Sequence, residues 1–407
     1  MSIYSDSQVK TNILNTTYHN NQRTVFRLPP KVMLSNLRLA DVGCRVTSSI
    51  GVVRYPALSG SYSIIKNMYL WSDNELIDQC RDCHRFLAFW NTRRSNAQNY
   101  SMNQSFRQSS QGYQQDYETT HAVGEKQVMV DLPDRGGVLT NDVATTSKGT
   151  LYLDDALRFL VSTKILPADK LANLRLEIEW NDDKNNFWFD SAGDSLTSYN
   201  IIEPVLIYDE VMGKSTTGGV NVQYLSLEND RLILPAVAVG STTQSKYRIN
   251  GFNGKVVNRC LYITDPVDWY GEATGKGASV GQNSEVIQTS LNGVEQIPYK
   301  GVDSPAKKQM MINDIWGYQN TPSFQWSNVS ANAAVGLYGS NVLKTNNEFS
   351  WGGQMLGARI DELQLQYQRK GEDADATGKK DLFFHIYGEV SKTLKTADNG
   401  RSVVTYN

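Results

Sequence analysis

The sequence predicts an all-β protein of two antiparallel β-sandwiches in tandem, with one or two short helices and long polar loops. Three observations predict it. The 407-residue chain is rich in Asn, Ser, Thr, Gly and Tyr, with 31 Gly and 21 Tyr, a mixture that favours strands and turns over helices. Leu174, Leu176, Ile178 and Trp180 alternate with Arg175, Glu177 and Glu179, the period of a strand with one face on a core and one towards water. Strand-like segments are not regularly interleaved with helical ones, which argues against a parallel βαβ sheet.

Taken in order, residues 1–25 read as a polar N-terminal arm, with three excess positive charges out to Lys31. Strand candidates follow the Pro29-Pro30 pair, at Val32, Leu34, Leu37 and Leu39 and near Cys44, Val46, Ile50 and Val52. A clearer strand runs from Tyr62 to Trp71. Ser72-Asp73-Asn74-Glu75 then fits a capping box, and Leu76, Cys80, Cys83, Leu87 and Trp90 follow as one apolar helical face. From Asn91 to Lys126 the text is Asn, Gln, Ser and Tyr, expected as a long exposed loop. Strand text resumes at Lys126–Leu132, a short helix is expected over Leu153–Thr163, and strands over Leu174–Trp180 and Pro204–Tyr208.

Lys214–Gly219 reads as a linker. Beyond it strands are expected at Val222–Leu227, Tyr247–Ile249, Val256–Ile263, Gln309–Ile312, Ile360–Tyr367 and Leu382–Val390, with polar loops at 270–285 and 317–350. The expected organisation is an arm at 1–25, a first sandwich at 26–212 and a second at 213–407.

Composition excludes several classes of function. Forty basic residues face 42 acidic ones, for a net charge of −2, so the folded body is a poor partner for nucleic acid. Mean hydropathy is −0.44, and no apolar run reaches the roughly 18 residues of a membrane-spanning helix. Met1–Asp6 has no apolar core, so no signal peptide is expected. Four Cys do not make a disulfide framework.

Chemical motifs are few. Cys80-Arg81-Asp82-Cys83-His84 matches the attachment signature of c-type haem, but both Cys lie on the apolar stripe and read as core thiols. Cys44 and Cys260 lack neighbouring Cys or His for zinc. Asp373–Gly378 opens like an EF-hand loop but has Phe384 where the bidentate Glu belongs, and reads as a hairpin loop. Gly271–Gly277 has one residue too few for a phosphate loop. His19, His84, His121 and His385 are scattered. Asp154-Asp155 and Asp182-Asp183 read as helix-cap and loop charges. No catalytic, cofactor-binding or metal residue is expected, and no small-molecule substrate. An alternative reading is a carbohydrate-binding tandem sandwich using Trp269, Trp316 or Trp326 as stacking platforms. A glycoside hydrolase on the same scaffold would need two facing carboxylates.

Five segments carry a resemblance to a known family. They are Lys31–Leu39; Gly60–Leu70 followed by Leu76-Ile77-Asp78-Gln79; Leu166-Pro167 with Leu174–Trp180; Tyr199–Tyr208; and Ile386–Val390. In this order they resemble the double jelly-roll major capsid proteins of the adenovirus-hexon lineage, of the polinton-like virus, adintovirus and virophage type. The resemblance implies two tandem eight-stranded antiparallel jelly rolls and a homotrimer of pseudo-sixfold outline that tiles an icosahedral shell in the virion. It implies neighbouring capsomers, penton and minor or cement proteins as partners. It also implies outer loops at 91–125, 270–305 and 317–350, and an arm at the inner base in weak contact with inner components. No enzyme activity is implied.

Overall fold

A computed structural model describes residues 9–48, 53–54, 60–94, 138–139, 148–181, 188–189, 196–212, 218–238, 240–266, 285–295, 350–370, 381–396 and 401–407. The first half contains β1 (Val9–Leu14), β2 (Tyr18–His19), β3 (Arg23–Arg27), β4 (Met33–Ser48), β5 (Val53–Arg54), β6 (Ile65–Ser72), β7 (Glu75–Cys80) and α1 (Cys83–Arg94). It continues with β8 (Val138–Leu139), β9 (Lys148–Tyr152), α2 (Leu153–Ala156), α3 (Arg158–Thr163), β10 (Ile165–Pro167), β11 (Arg175–Trp180), β12 (Trp188–Phe189), β13 (Leu196–Ile201) and β14 (Val205–Val211). The second half contains β15 (Asn221–Leu234), β16 (Thr242–Ile249), β17 (Lys255–Pro266), β18 (Glu285–Leu291) and β19 (Val294–Glu295). It ends with β20 (Ser350–Ile360), β21 (Leu363–Lys370), β22 (Leu382–Thr396) and β23 (Ser402–Tyr406).

Each half is built on a pair of antiparallel sheets, and the first half adds a small third sheet in the order β12-β5-β8. In the first, the order β1-β14-β4-β10, with β9 and β13 also on β4, faces the order β2-β3-β11-β6-β7. In the second, β15-β22-β17-β20, with β23 on β22, faces β16-β21-β18-β19. This is the double jelly-roll architecture expected from the sequence. β11 shows why alternation locates a strand. Leu176, Ile178 and Trp180 enter the core between the sheets, while Arg175, Glu177 and Glu179 stand on the outer face, where Arg23 pairs with Glu177 at 2.8 Å.

Several expectations are corrected. Residues 9–25 do not form a free arm: β1 pairs with β14 from Val9↔Val211 to Leu14↔Leu206, and β2 and β3 build the second sheet. Their alternation is partly masked, because only Thr24 and Phe26 of β3 are fully buried. Ser72–Glu75 is no helix cap. Asp73 adopts φ 50° in the turn from β6 to β7, a conformation that Asp tolerates. Leu76 and Cys80 therefore sit on a strand, and the helix starts only at Cys83. The helical spacing there is accidental, because Ile77 to Cys80 are buried on both faces and leave no alternation to read. Residues 60–64 form a 3-10 turn, so the expected strand at Tyr62 begins at Ile65. The single helix expected over 153–163 is two, broken at Leu157 (φ −100°, ψ 104°). The strand expected over Ile360–Tyr367 is interrupted at Asp361 and Glu362, where Asn292 caps the turn. The expected strands at 126–132 and 309–312 and most of the expected outer-loop segments lie outside the described residues; within those segments, residues 91–94 end α1 and residues 285–295 form β18, a two-residue turn and β19 in place of loop.

The connections differ at the two ends of the second half. At one end β18–β19 and β20–β21 turn in two residues each, 292–293 and 361–362. At the other, Pro266, Lys370 and Leu382 lead into or out of 267–284 and 371–380. In the first half 28–32, 73–74 and 168–174 are similarly short and meet each other, with Leu28 N–H donating to the Leu174 carbonyl and Asp73 N–H to that of Ala172.

Two cores result. One fills the first sandwich around Phe26, Leu39, Met68, Phe159 and Ile178, and extends to Tyr224, Leu261, Ile263 and Tyr387 of the second half. The other fills the second sandwich around Ile249, Phe252, Leu365, Phe384 and Ile386. Among the described residues no helix is long and apolar enough to cross a membrane.

Candidate functional site: the polar seam between the two halves

The sheet containing β17 and β22 is covered on both faces. Phe384, Ile386, Val390, Cys260 and Tyr262 enter the second core. Their alternating neighbours His385, Tyr387 and Glu389 turn towards the first half and are also buried. That second surface is polar. Charge is costly to bury unless paired and hydrogen-bonded, and here it is paired across the chain.

Glu389 is the hub. Arg259 on β17 grips it through Nε at 2.6 Å and Nη2 at 3.0 Å, and Arg158 on α3 adds Nη2 at 3.2 Å. Burial alone would raise the Glu389 carboxyl; the Arg259 hydrogen bond and the Arg158 charge outweigh it and hold the group below its usual value. The Arg158 guanidinium also lies over the Trp90 ring of α1, 4.1 Å from its centroid, a favourable cation–π placement.

Asp78 on β7 is a second hub. Its oxygens accept from Phe159 N–H at 2.7 Å, Ser226 Oγ of β15 at 2.7 Å and Gln79 N–H at 2.9 Å. Complete burial pushes its carboxyl up to about 6, against the pull of these donors and of Lys392. Beside it, Tyr224 of β15 donates to the Ile77 carbonyl.

A third cluster joins α1 to β22. Tyr387 donates to the Asp82 carbonyl at 2.9 Å, and its ring packs 5.7 Å from Phe86. His385 Nδ1 lies 3.5 Å from Asp82 Oδ2. Burial, then Arg85, Arg231 and His84, hold His385 well below its ordinary value, so the ring is neutral near pH 7 and this contact is no ion pair. Arg85 Nη1 meets His84 Nε2 at 2.7 Å; burial first and Arg85 second keep His84 neutral too. Towards the short-turn end, Ser72 and Ser402 hydroxyls meet at 2.9 Å, and Val404 N–H donates to Glu75 Oε1 at 2.9 Å.

The seam can hold two sandwiches in one orientation. Several of these polar groups have their partner on the other side, Arg158 with Glu389, Ser226 with Asp78 and Tyr387 with Asp82 among them, so a shift of a few ångströms would break these buried contacts at once.

The residues singled out by motif are distributed as follows. Cys80 ends β7 and Cys83 starts α1; both are buried free thiols, as are Cys44 and Cys260. Burial and the neighbouring Cys83 thiol raise Cys80. His84 and His385, far apart in sequence, come to the same seam, whereas His19 pairs locally with Thr24 at 2.8 Å. Asp155 accepts from Trp90 Nε1 at 3.3 Å. His121, Asp182-Asp183, Trp269, Trp316, Trp326, Gly271–Gly277 and Asp373–Gly378 lie outside the described residues. Sequence reasoning missed Asp78, Arg158 and Glu389. The available signal was a charge set inside apolar text, as Glu389 is among Phe383 to Val390.

Fold and seam together define a two-roll β-protein whose halves form one body. No protein-family model matches the sequence, and no curated protein matches it. Solved structures do match in fold. The chain is similar to one in the cryo-EM structure of the Sputnik virophage, with a TM-score of 0.62 at 13% identity over 98% of this chain and 88% of that one. It is similar to PBCV-1 VP54 as fitted into a reconstruction of the virophage Sputnik, with a TM-score of 0.59 at 10% identity over 100% and 99%. The mavirus major capsid protein gives 0.55 at 7% identity over 100% and 91%. The fold is therefore that of the double jelly-roll capsid proteins, as the five sequence segments implied.

Proposed function

We propose that this chain is a major capsid protein, a structural and non-enzymatic subunit of an icosahedral viral shell. One observation carries the reading: the superposition spans 98–100% of the chain, both rolls together, on proteins whose printed names place them in capsids and virophage particles. Three copies associate into a capsomer of pseudo-sixfold outline, each contributing a first roll (26–212, extended by the strands of residues 9–25) and a second (213–407). Capsomers then tile the shell beside penton and minor or cement proteins. The seam supports this, because a subunit that supplies two of six corners must hold its rolls at a fixed angle. The unequal ends support it as well: the short-turn end suits a packed inner base, and the end with long connections suits the outside.

Light scattering on a sizing column, with negative-stain images of the same peak, tests the reading. The expected species is near 137 kDa, three times 45.6 kDa, with a hexagonal outline. A clean monomer at micromolar concentration overturns it.

A further inference from the structure

A cleft of about 1460 Å³ opens at the short-turn end, between the outer face of β3 and β11, the β6–β7 turn and the start of β23. It exceeds the roughly 300–1,000 Å³ of a small-molecule pocket. Four arginines line it, Arg23, Arg27, Arg175 and Arg401, against two carboxylates, Asp73 and Glu75.

Most of these charges are already engaged. Arg23 pairs with Glu177, Glu75 accepts from Val404 N–H, and Asp73 accepts from Asn173. Arg27 and Arg175 are different. They stand directly opposite each other across the β3–β11 ladder, where like charges repel. The Arg175 guanidinium lies over the Trp71 ring at 5.2 Å, and its Nε is buried without a hydrogen-bond partner among the described residues. Neither side chain meets a carboxylate among them. Both line the cleft, and an anion held between two guanidiniums relieves their repulsion through charge-assisted hydrogen bonds, which are among the stronger ones a protein makes.

We propose that this cleft binds an extended acidic segment of another polypeptide, one carboxylate bridging Arg27 and Arg175 and neighbouring apolar side chains resting on Tyr18 and Val403. Tyr18 is 52% and Val403 48% exposed, so both present apolar surface to an occupant. The mixed lining favours a peptide over nucleic acid, because Asp73 and Glu75 oppose a continuous run of phosphates, whereas a peptide can space its acids to match. The inference does not rest on the shell reading, since the cleft lies within one chain.

The test is fluorescence anisotropy on the full chain, with a short labelled peptide alternating Asp and Leu as probe. The same peptide with Asn for Asp is expected to bind at least about tenfold more weakly. Arg27→Glu places an internal carboxylate opposite Arg175. It is expected to abolish peptide binding while the melting temperature holds or rises. Arg27→Gln is expected to weaken binding about tenfold without lowering the melting temperature. Equal binding of the Asn peptide, undiminished binding to Arg27→Glu, or Arg27-dependent binding of a single-stranded oligonucleotide in place of the peptide would each overturn the proposal.

Discussion

The two faces of β22 between Phe383 and Val390 are built on opposite principles. Phe384 and Ile386 face a core of Phe252, Leu363, Leu365 and Tyr367, and contribute by leaving water. His385, Tyr387 and Glu389 face the other half and contribute by finding partners. The apolar face tolerates any filling of about the right volume. The polar face tolerates one arrangement. Stability of each roll and fixed orientation between rolls are thus assigned to opposite sides of one strand.

Removing one side chain from each face should cost a similar amount and fail differently. Glu389→Gln leaves Arg158 and Arg259 facing a neutral amide in a buried site, at about 3–5 kcal/mol. Phe384→Ala opens a cavity at about 3–5 kcal/mol. Denaturant unfolding followed by Trp fluorescence and far-ultraviolet circular dichroism distinguishes them. Glu389→Gln should split the transition into two, one per half, whereas Phe384→Ala should shift unfolding of the second half without freeing the first. A single coincident transition in Glu389→Gln would show that the seam does not couple the halves.

A smaller effect is expected at Gly388. A Cβ there would sit 2.6 Å from Phe252 Cε1, so Gly388→Ala should cost about 1–3 kcal/mol by overpacking the apolar face. Tyr387→Phe removes only the hydroxyl donated to Asp82, at about 1 kcal/mol. Both are read from the denaturation midpoint.

The pH dependence is the subtlest test. His84 and His385 are held below their ordinary value, so the stability they contribute is present above about pH 6.5 and is lost as pH falls through their lowered values. Asp78 has the opposite sign: raised to about 6, it contributes most when protonated and loses that contribution as pH rises through 6. Between about pH 7 and about pH 5 the two partly offset. Asp78→Asn should therefore make the melting temperature fall more steeply over that window than in the unaltered protein. An unchanged slope would mean that Asp78 is ionised throughout.

Much of the fold was legible because several strands alternate cleanly. Leu174 to Trp180 alternates and forms a strand within a residue of the expected bounds; Leu363 to Tyr367 alternates as expected, although the strand expected over Ile360–Tyr367 is split by the turn at Asp361 and Glu362. Legibility failed at β7, where Ile77 to Cys80 are buried on both sides, leave no alternation to read and fall on a helical spacing. The equally buried Phe384 to Val390 lie in the strand expected over Leu382–Val390, which the structure extends to Thr396. The seam was illegible because of distance: Asp78 meets Ser226, and Arg158 meets Glu389, across separations of 148 and 231 residues. Nothing local marks such pairs except a charge where the neighbouring text is apolar.

The pairing of β15 sets the order of events as the chain folds. Among the described residues β15 pairs only with β22, from Asn221↔Lys395 to Leu234↔Leu382. A strand made early in the second half therefore waits for one made much later, and its backbone edge stays open meanwhile. Such distant closure is slow, on the order of milliseconds to seconds for β-sandwiches, and an open edge invites pairing with other chains. At high synthesis rates, yield of this protein should be limited by that interval of exposure and should improve when synthesis is slowed or when a holdase is present.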